Sequence, residues 1–156
     1  MNMRAYALDE QLRRIVVACE PQWKDKTLHM DLQLTPITIV ADEDLLSHVW
    51  MNIIGNSMKF TPNNGTITIA LTNQPAGWTQ VTITDTGIGI PDQELNRVFE
   101  RFYKVDRSRR RDGNGSGLGL AIVNKVIALH QGTVTIASRT GEGTTVTIRL
   151  RPPNAM

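Results

Sequence analysis

The sequence predicts an α+β domain: a two-layer sandwich with a mixed, mostly antiparallel sheet carrying three main helices on one face. Three observations predict it. Apolar residues alternate with polar ones in Leu28–Leu34, Thr66–Thr72, Trp78–Thr84, Thr133–Ser138 and Thr144–Leu150, the period of half-buried strands. They recur at helical spacing in Leu8–Trp23, Leu45–Thr61 and Leu118–His130. Glycine and proline clusters separate these runs and punctuate them as turns.

Each element has a local cause. Leu12, Ile15, Val16 and Cys19 share one helical face, and Pro21 is expected to stop that helix. A short strand, Ile37–Ala41, follows the turn at Pro36. Asp42 is placed to cap the next helix, with Glu43 and Asp44 favourable in its first turn. That helix ends at Thr61-Pro62, and Asn63-Asn64-Gly65 turns the chain into a hairpin of Thr66–Thr72 and Trp78–Thr84. Pro91 opens a short helix through Arg97. The polar stretch from Phe99 to Asn114 sets Arg101, Lys104, Arg107, Arg109, Arg110 and Arg111 against three acids. A last apolar helix ends at Gly132, and two strands close the domain around Gly141 and Gly143.

At 156 residues the chain is of one-domain length, and 40% hydrophobic with 21% charged residues is ordinary globular composition. A net charge of +2 gives no basis for nucleic-acid binding. The single cysteine, Cys19, excludes an internal disulfide framework and sits in an apolar helical run, where it reads as a small core residue. No apolar run approaches the length of a membrane span, and the first residues lack a signal-peptide pattern.

Two features point to chemistry. On the Leu45–Thr61 helix, Leu46, Trp50, Ile53, Ile54 and Ser57 occupy one broad side, which Met51 and Met58 extend. His48, Asn52, Asn56 and Lys59 fall on the remaining narrow stripe, expected to be a polar seam enclosed by protein, with a half-exposed helix wetting its asparagines as the alternative. The second feature is a pair of glycine-rich turns, Asp85-Thr86-Gly87-Ile88-Gly89-Ile90-Pro91 after a strand and Gly113–Leu120 before a helix. A helix N-terminus presents free N–H groups suited to phosphate, and glycines let backbone approach it. Neither turn is a Walker G-x-x-x-x-G-K-[ST] loop, and neither gives G-x-G-x-x-G after a strand, which disfavours dinucleotide and protein-kinase loops. Asp85, at a strand end, either caps its own turn or accepts from an exocyclic amine such as that of adenine.

Five patterns occur in one order: Asn52-x-x-x-Asn56-x-x-Lys59-Phe60, Asp85-x-Gly87-x-Gly89-Ile90, Phe99-x-x-Phe102, Gly115-x-Gly117-Leu118-Gly119-Leu120 and Gly141-x-Gly143-Thr144-Thr145. Over Asp42–Leu150 this closely resembles the N, G1, F, G2 and G3 boxes of the catalytic ATP-binding domain of bacterial sensor histidine kinases. Their Bergerat fold is shared with type II topoisomerase, MutL-like and heat-shock chaperone ATPases.

The resemblance implies ATP and Mg²⁺ as cofactors, with Asn52, Lys59 and Lys104 as the catalytic side chains. Asn56 would ligate the metal through Oδ1, and Asn52 would hold a metal-bound water or phosphate. Lys59 would offset phosphate charge, and Phe60, where the family more often has tyrosine, would pack near ribose and base. Asp85 would accept from the adenine amine beside Gly87, Gly89 and Ile90. Phe99–Asn114 resembles a mobile ATP lid anchored by Phe99 and Phe102, from which Lys104 (with Arg109 the weaker candidate) would reach the γ-phosphate. The backbone of Gly115, Ser116, Gly117, Leu118, Gly119 and Leu120 would wrap the phosphates, while Gly143, Thr144 and Thr145 read as strand support.

Hydrolysing members of this fold carry a Glu one turn before the metal Asn; here that position is Asn52, which cannot take a proton and favours transfer to an external acceptor. None of the three histidines, His29, His48 and His130, is followed by an acid as the acceptor histidine of the family is. Residues 1–20 therefore read as a connector from an absent dimerisation domain, 21–150 as the ATP-binding domain, and 151–156 as a tail. The resemblance further implies that this dimerisation and phosphoacceptor domain and, through it, a response regulator are the partners. It implies a monomeric fragment, a cytoplasmic location and a parent protein anchored in the bacterial membrane. Two other readings fit parts of the sequence. Asp85-Thr86-Gly87 matches the catalytic turn of aspartic proteases, but Ile88 stands where they have a small residue, and those enzymes are nearly all-β. A nucleotide-binding regulator without kinase activity is the second, opposed by the full glycine set.

Overall fold

The computed structural model describes residues 1–89 and 120–153. Ile90, the helix expected over 91–97, Phe99, Phe102, Lys104, Arg109 and Gly115 through Gly119 lie outside the described residues.

The chain opens with β1 (Met3–Ala7), α1 (Leu8–Ala18) and α2 (Glu20–Asp25), then β2 (His29–Leu34), β3 (Thr38–Asp42) and α3 (Glu43–Phe60). It continues through β4 (Thr66–Asn73), β5 (Thr79–Asp85), α4 (Leu120–Leu129), β6 (Thr133–Arg139) and β7 (Gly143–Leu150). Five strands form one sheet in the order β2-β4-β5-β7-β6. Only the β2–β4 pair is parallel, so the mixed, mostly antiparallel sheet expected from the sequence is present. On its inner face Ile67, Ile69, Leu71, Val81, Ile83, Val146 and Ile148 are buried, and α3 and α4 pack over them. The outer face shows the polar half of the alternation, with Thr68, Thr82, Thr84 and Thr147 half-buried.

The first residues depart most from expectation. The sequence gives no sign of β1, which pairs antiparallel with β3 in a separate two-stranded sheet, Met3 opposite Asp42 and Ala7 opposite Thr38. Its residues are exposed or half-buried, so the segment Met-Arg-Ala-Tyr-Ala carries almost no apolar contrast at period two. Pro21 does not end a helix at Trp23. The first helix stops at Ala18, and the proline sits in the first turn of α2, where its missing N–H costs nothing. Leu8, Leu12, Ile15 and Val16 of α1 share the core with α3 and the sheet.

A buried polar hub joins these first elements to α3. Gln11 is 1% exposed; its Oε1 accepts from Tyr6 Oη (2.8 Å) and Trp50 Nε1 (2.9 Å). Its Nε2 donates to the Glu43 carbonyl (2.8 Å) and to Ser47 Oγ (2.9 Å), so every hydrogen-bonding position of the amide is filled. Burial, aided by the Glu43 carboxylate, raises the Tyr6 phenol, so it stays a neutral donor to Gln11.

Candidate functional site

Asp42 caps α3 as its sequence position predicts: Oδ1 accepts from Leu45 N–H at 3.1 Å while Oδ2 accepts from Asn2 N–H at 2.8 Å. These two donors hold its carboxylate below the usual range. At the other end of α3, Lys26 Nζ donates to the Met58 carbonyl (2.7 Å) and the Lys59 carbonyl (3.3 Å), placing a cation against the negative end of the helix. The helix carrying the asparagine stripe is thus fixed at its start by its own cap residue and at its end by a lysine from elsewhere in the chain.

A slot opens between α3, the end of β5 and the start of α4. Asn56, Ser57 and Phe60 line it from α3, Asp85 and Gly89 from β5 and its turn, and Leu120 from α4. Ile53, Ile88, Ile136 and Val146 make its walls apolar, with Thr144 at the side. Asn56, Phe60, Asp85, Gly89 and Leu120, far apart in the sequence, therefore line one slot. Gly87 is buried beside them.

The remaining stripe lies differently from the enclosed seam the sequence suggested. His48 and Lys59 are exposed, Asn52 and Asn56 half-buried, and Met51, counted with the apolar side, is 48% exposed. Of the stripe, Asn56 lines the slot and the rest lies toward the surface, because α3 turns its Leu46–Val49–Trp50–Ile53–Ile54–Ser57 side to the core. Asn52 Nδ2 donates to the His48 carbonyl at 2.9 Å, which turns its amide oxygen away from that carbonyl. Lys59 Nζ stands 5.5 Å from the Phe60 ring centroid, a cation–π contact at the mouth.

Among the described residues that line the slot, Asp85 is the charged one, and it is 7% exposed. Its Oδ1 accepts from Gly87 N–H (2.8 Å) and Thr144 N–H (3.2 Å), and Ser57 adds a side-chain hydrogen bond. Burial nevertheless wins over these donors, and the carboxyl lies above the ordinary aspartate range. The carboxylate does cap its own turn, as the plainer sequence reading had it, and it also faces an apolar slot. The two readings are compatible, since a carboxylate offers about four lone-pair sites. Ser57 escaped the sequence reading because its spacing put it among core residues; its donor role is visible only once β5 lies against α3.

The glycines have an immediate cause in the protein's own backbone, in addition to any room they leave for a ring. A Cβ on Gly87 would stand 2.5 Å from the Phe60 carbonyl oxygen. On Gly89, at φ +77°, it would stand within 2 Å of the Arg139 carbonyl oxygen. The β5 turn is thereby wedged between the end of α3 and the β6–β7 turn, where Gly141 N–H donates to the Ile88 carbonyl at 2.7 Å. Among the described residues no three His, Cys, Asp or Glu side chains converge as a metal site.

A family model described as "Histidine kinase-, DNA gyrase B-, and HSP90-like ATPase" matches residues 41–154. The chain belongs to this ATPase family. Sensor histidine kinase WalK of Bacillus subtilis is 39% identical over 113 residues, covering 72% of this chain and 18% of WalK. The adaptive-response sensory kinase SasA of Synechococcus elongatus is 31% identical over 147 residues, 93% of this chain and 38% of SasA. The chain thus spans well under half of either relative. The solved structure of the mycobacterial sensor histidine kinase MprB superposes with a TM-score of 0.84 at 30% identity, covering 96% of this chain and 99% of that one. The kinase ThkA, solved in complex with the response regulator protein TrrA, shares the fold at a TM-score of 0.79 and 20% identity. The family is one of ATPases, and the lining of the slot fits an adenine nucleotide: an apolar cleft that a flat base would fill, with the Asp85 carboxylate as acceptor and the Asn56 amide beside it.

Proposed function

We propose that this chain is the catalytic domain of a sensor histidine kinase, which binds Mg²⁺–ATP in the slot and donates the γ-phosphoryl group to a histidine on a separate dimerisation domain. The observation that carries it is Asp85: a buried carboxylate, held by two backbone N–H groups, in an apolar cleft that Asn56 and Phe60 line from α3. Asp85 would accept from the adenine amine, Phe60 would cover the base and ribose, and Lys59 would neutralise phosphate charge. Asn56 would offer Oδ1 to Mg²⁺, which takes oxygen donors, with phosphate and water completing its shell. Bound Mg²⁺ would supply charge neutralisation at the phosphates. Asn52 would orient a metal-bound water or phosphate and cannot serve as the base of a hydrolase, which speaks for transfer over hydrolysis. Lys104, Ile90 and the backbone of Gly115 to Gly119 would complete the phosphate cradle, with Leu120 at the inner end.

The acceptor would be the parent's own dimerisation and phosphoacceptor domain, which would pass the phosphoryl group to a response regulator. The parent would hold this domain on the cytoplasmic side of the cell membrane. Among the described residues no helix is long and apolar enough to cross a membrane. The domain alone would be monomeric, with residues 1–20 leading from the dimerisation domain and 151–156 a tail.

The test is titration of a fluorescent ATP analogue with and without Mg²⁺, on this chain and on Asn56→Ala and Asp85→Ala. Both variants are expected to bind more weakly, and Asn56→Ala chiefly to lose the Mg²⁺ dependence. Transfer of label from γ-labelled ATP to an added dimerisation domain should then yield an acid-labile phosphohistidine. No binding by the folded parent chain would sink the reading; binding without transfer to any acceptor would favour a nucleotide-binding regulator.

A further inference from the structure

At the end of the α3–α4 pair away from the slot, His130 follows α4 and contacts the residue that caps α3. Its Nε2 accepts from the Asp42 backbone N–H at 3.1 Å, across 88 positions of sequence, and its Nδ1 lies 2.8 Å from the Val126 carbonyl oxygen. The chemistry of the two partners fixes the ring. A backbone N–H can only donate and a carbonyl can only accept, so Nε2 acts as acceptor and Nδ1 as donor. Asp42 is also where the α3 cap, β3 and the chain near Asn2 meet. The helices run antiparallel: Leu120, which begins α4, lines the slot with Asn56 and Phe60, while His130, just past its last turn, sits at the start of α3. Ten residues of helix separate the two ends of α4, about 15 Å at the usual rise.

Resting on the nucleotide-binding reading above, we propose that His130 is a positioning residue for the nucleotide slot. Its ring clamps the C-terminal end of α4 to the first turn of α3 and so sets the width of the slot at Leu120. The hydrogen bond itself supplies modest energy; what it contributes is register. Among the described residues the buried side chains of α4, Leu120, Val123, Val126 and Ile127, are all apolar and hold it in place by non-directional contact, whereas the bond between backbone and ring is directional and fixes the axial offset. A capping role alone would end at Val126; the bond to Asp42 N–H reaches another element.

The experiment compares the parent chain with His130→Ala and His130→Gln, the latter keeping a long side chain with an amide oxygen to accept from Asp42. Three readouts are taken on each folded chain, well below its melting temperature: amide hydrogen exchange, the ¹⁵N shifts of the ring in the parent, and equilibrium binding of a fluorescent ATP analogue. The parent ring should show protonated Nδ1 and bare Nε2. His130→Ala should speed exchange at both the first turn of α3 and the distant residues 120–123, and weaken nucleotide binding at least fivefold, with His130→Gln recovering most of both. Exchange changes confined to residues 41–45 and 126–132, or binding within twofold of the parent in His130→Ala, would overturn the proposal and leave His130 as a local cap. If the parent binds no nucleotide but exchange at 120–123 responds to His130→Ala, the clamp stands and the nucleotide reading fails.

Discussion

Replacing Gln11 by Leu is the sharpest test of how the first elements are joined to the helix that carries the site. The side chains are similar in size and the position is 1% exposed, so packing changes little and the hydrogen bonds change fully. Four bonds are lost, but their donors and acceptors are left in different surroundings. The Tyr6 and Ser47 hydroxyls are half-buried and can turn to water, and the Glu43 carbonyl stays in the half-buried first turn of α3, whereas Trp50 has no exposed surface and its indole N–H is stranded. A stranded buried donor costs about 1–3 kcal/mol, and each of the other bonds about 0.5–1 kcal/mol net. The apolar gain of Leu over an amide returns roughly 1 kcal/mol, which leaves about 3 kcal/mol of destabilisation. In a domain of this size that is a fall in melting temperature of about 6–12 °C, read by calorimetry or circular dichroism. The double-mutant cycle with Trp50→Phe isolates the mechanism. Removing the indole N–H removes what Gln11→Leu strands, so the pair should be at least about 1 kcal/mol more stable than the sum of the single losses. Additive losses, or a shift under about 2 °C for Gln11→Leu, would refute the hub.

Asp85→Asn should separate stability from binding. The folded-state carboxyl lies above its ordinary range, so it binds its proton more tightly folded than unfolded; its ionised form costs stability at neutral pH, and that cost is relieved as pH falls through the raised pKa. The neutral amide should therefore melt no lower than the parent at pH 7, yet bind adenine nucleotide at least tenfold more weakly, because its Nδ2 meets a donor amine with a donor. By the same sign, nucleotide affinity of the parent should decline on acidification at a pH above that of an unperturbed aspartate, and a flat affinity down to pH 4 would contradict the role of Asp85. Gly89→Ala must displace the Arg139 carbonyl at a positive φ, so it should destabilise by at least about 2 kcal/mol in denaturant titration. Cys19 is 3% exposed and burial raises its thiol, so its reaction with a disulfide reagent should be slow in the folded chain and rapid in denaturant.

The sequence alone determined the elements whose cause is local. The strands of the two hairpins follow from alternation, α3 from its apolar period and the Asp42 cap, and the family from the order of the asparagine and glycine boxes. These signals are legible because each strand, helix and box is written in residues close together in the chain, even though the order of the boxes runs from Asn52 to Thr145. Only the tertiary structure decided what depends on neighbours from far away. β1 is a strand because β3 offers it an edge, although its own pattern is mute. The asparagine stripe is only half-buried because α1, the sheet and α4 pack on the apolar sides of α3. Gly87 and Gly89 are required by carbonyls of Phe60 and Arg139, and Ser57 turns from core filler to donor when β5 places Asp85 beside it. His130 gains its partner across 88 positions of sequence. Periodicity reports which side of an element is apolar; what lies opposite its polar atoms is a property of the packed chain.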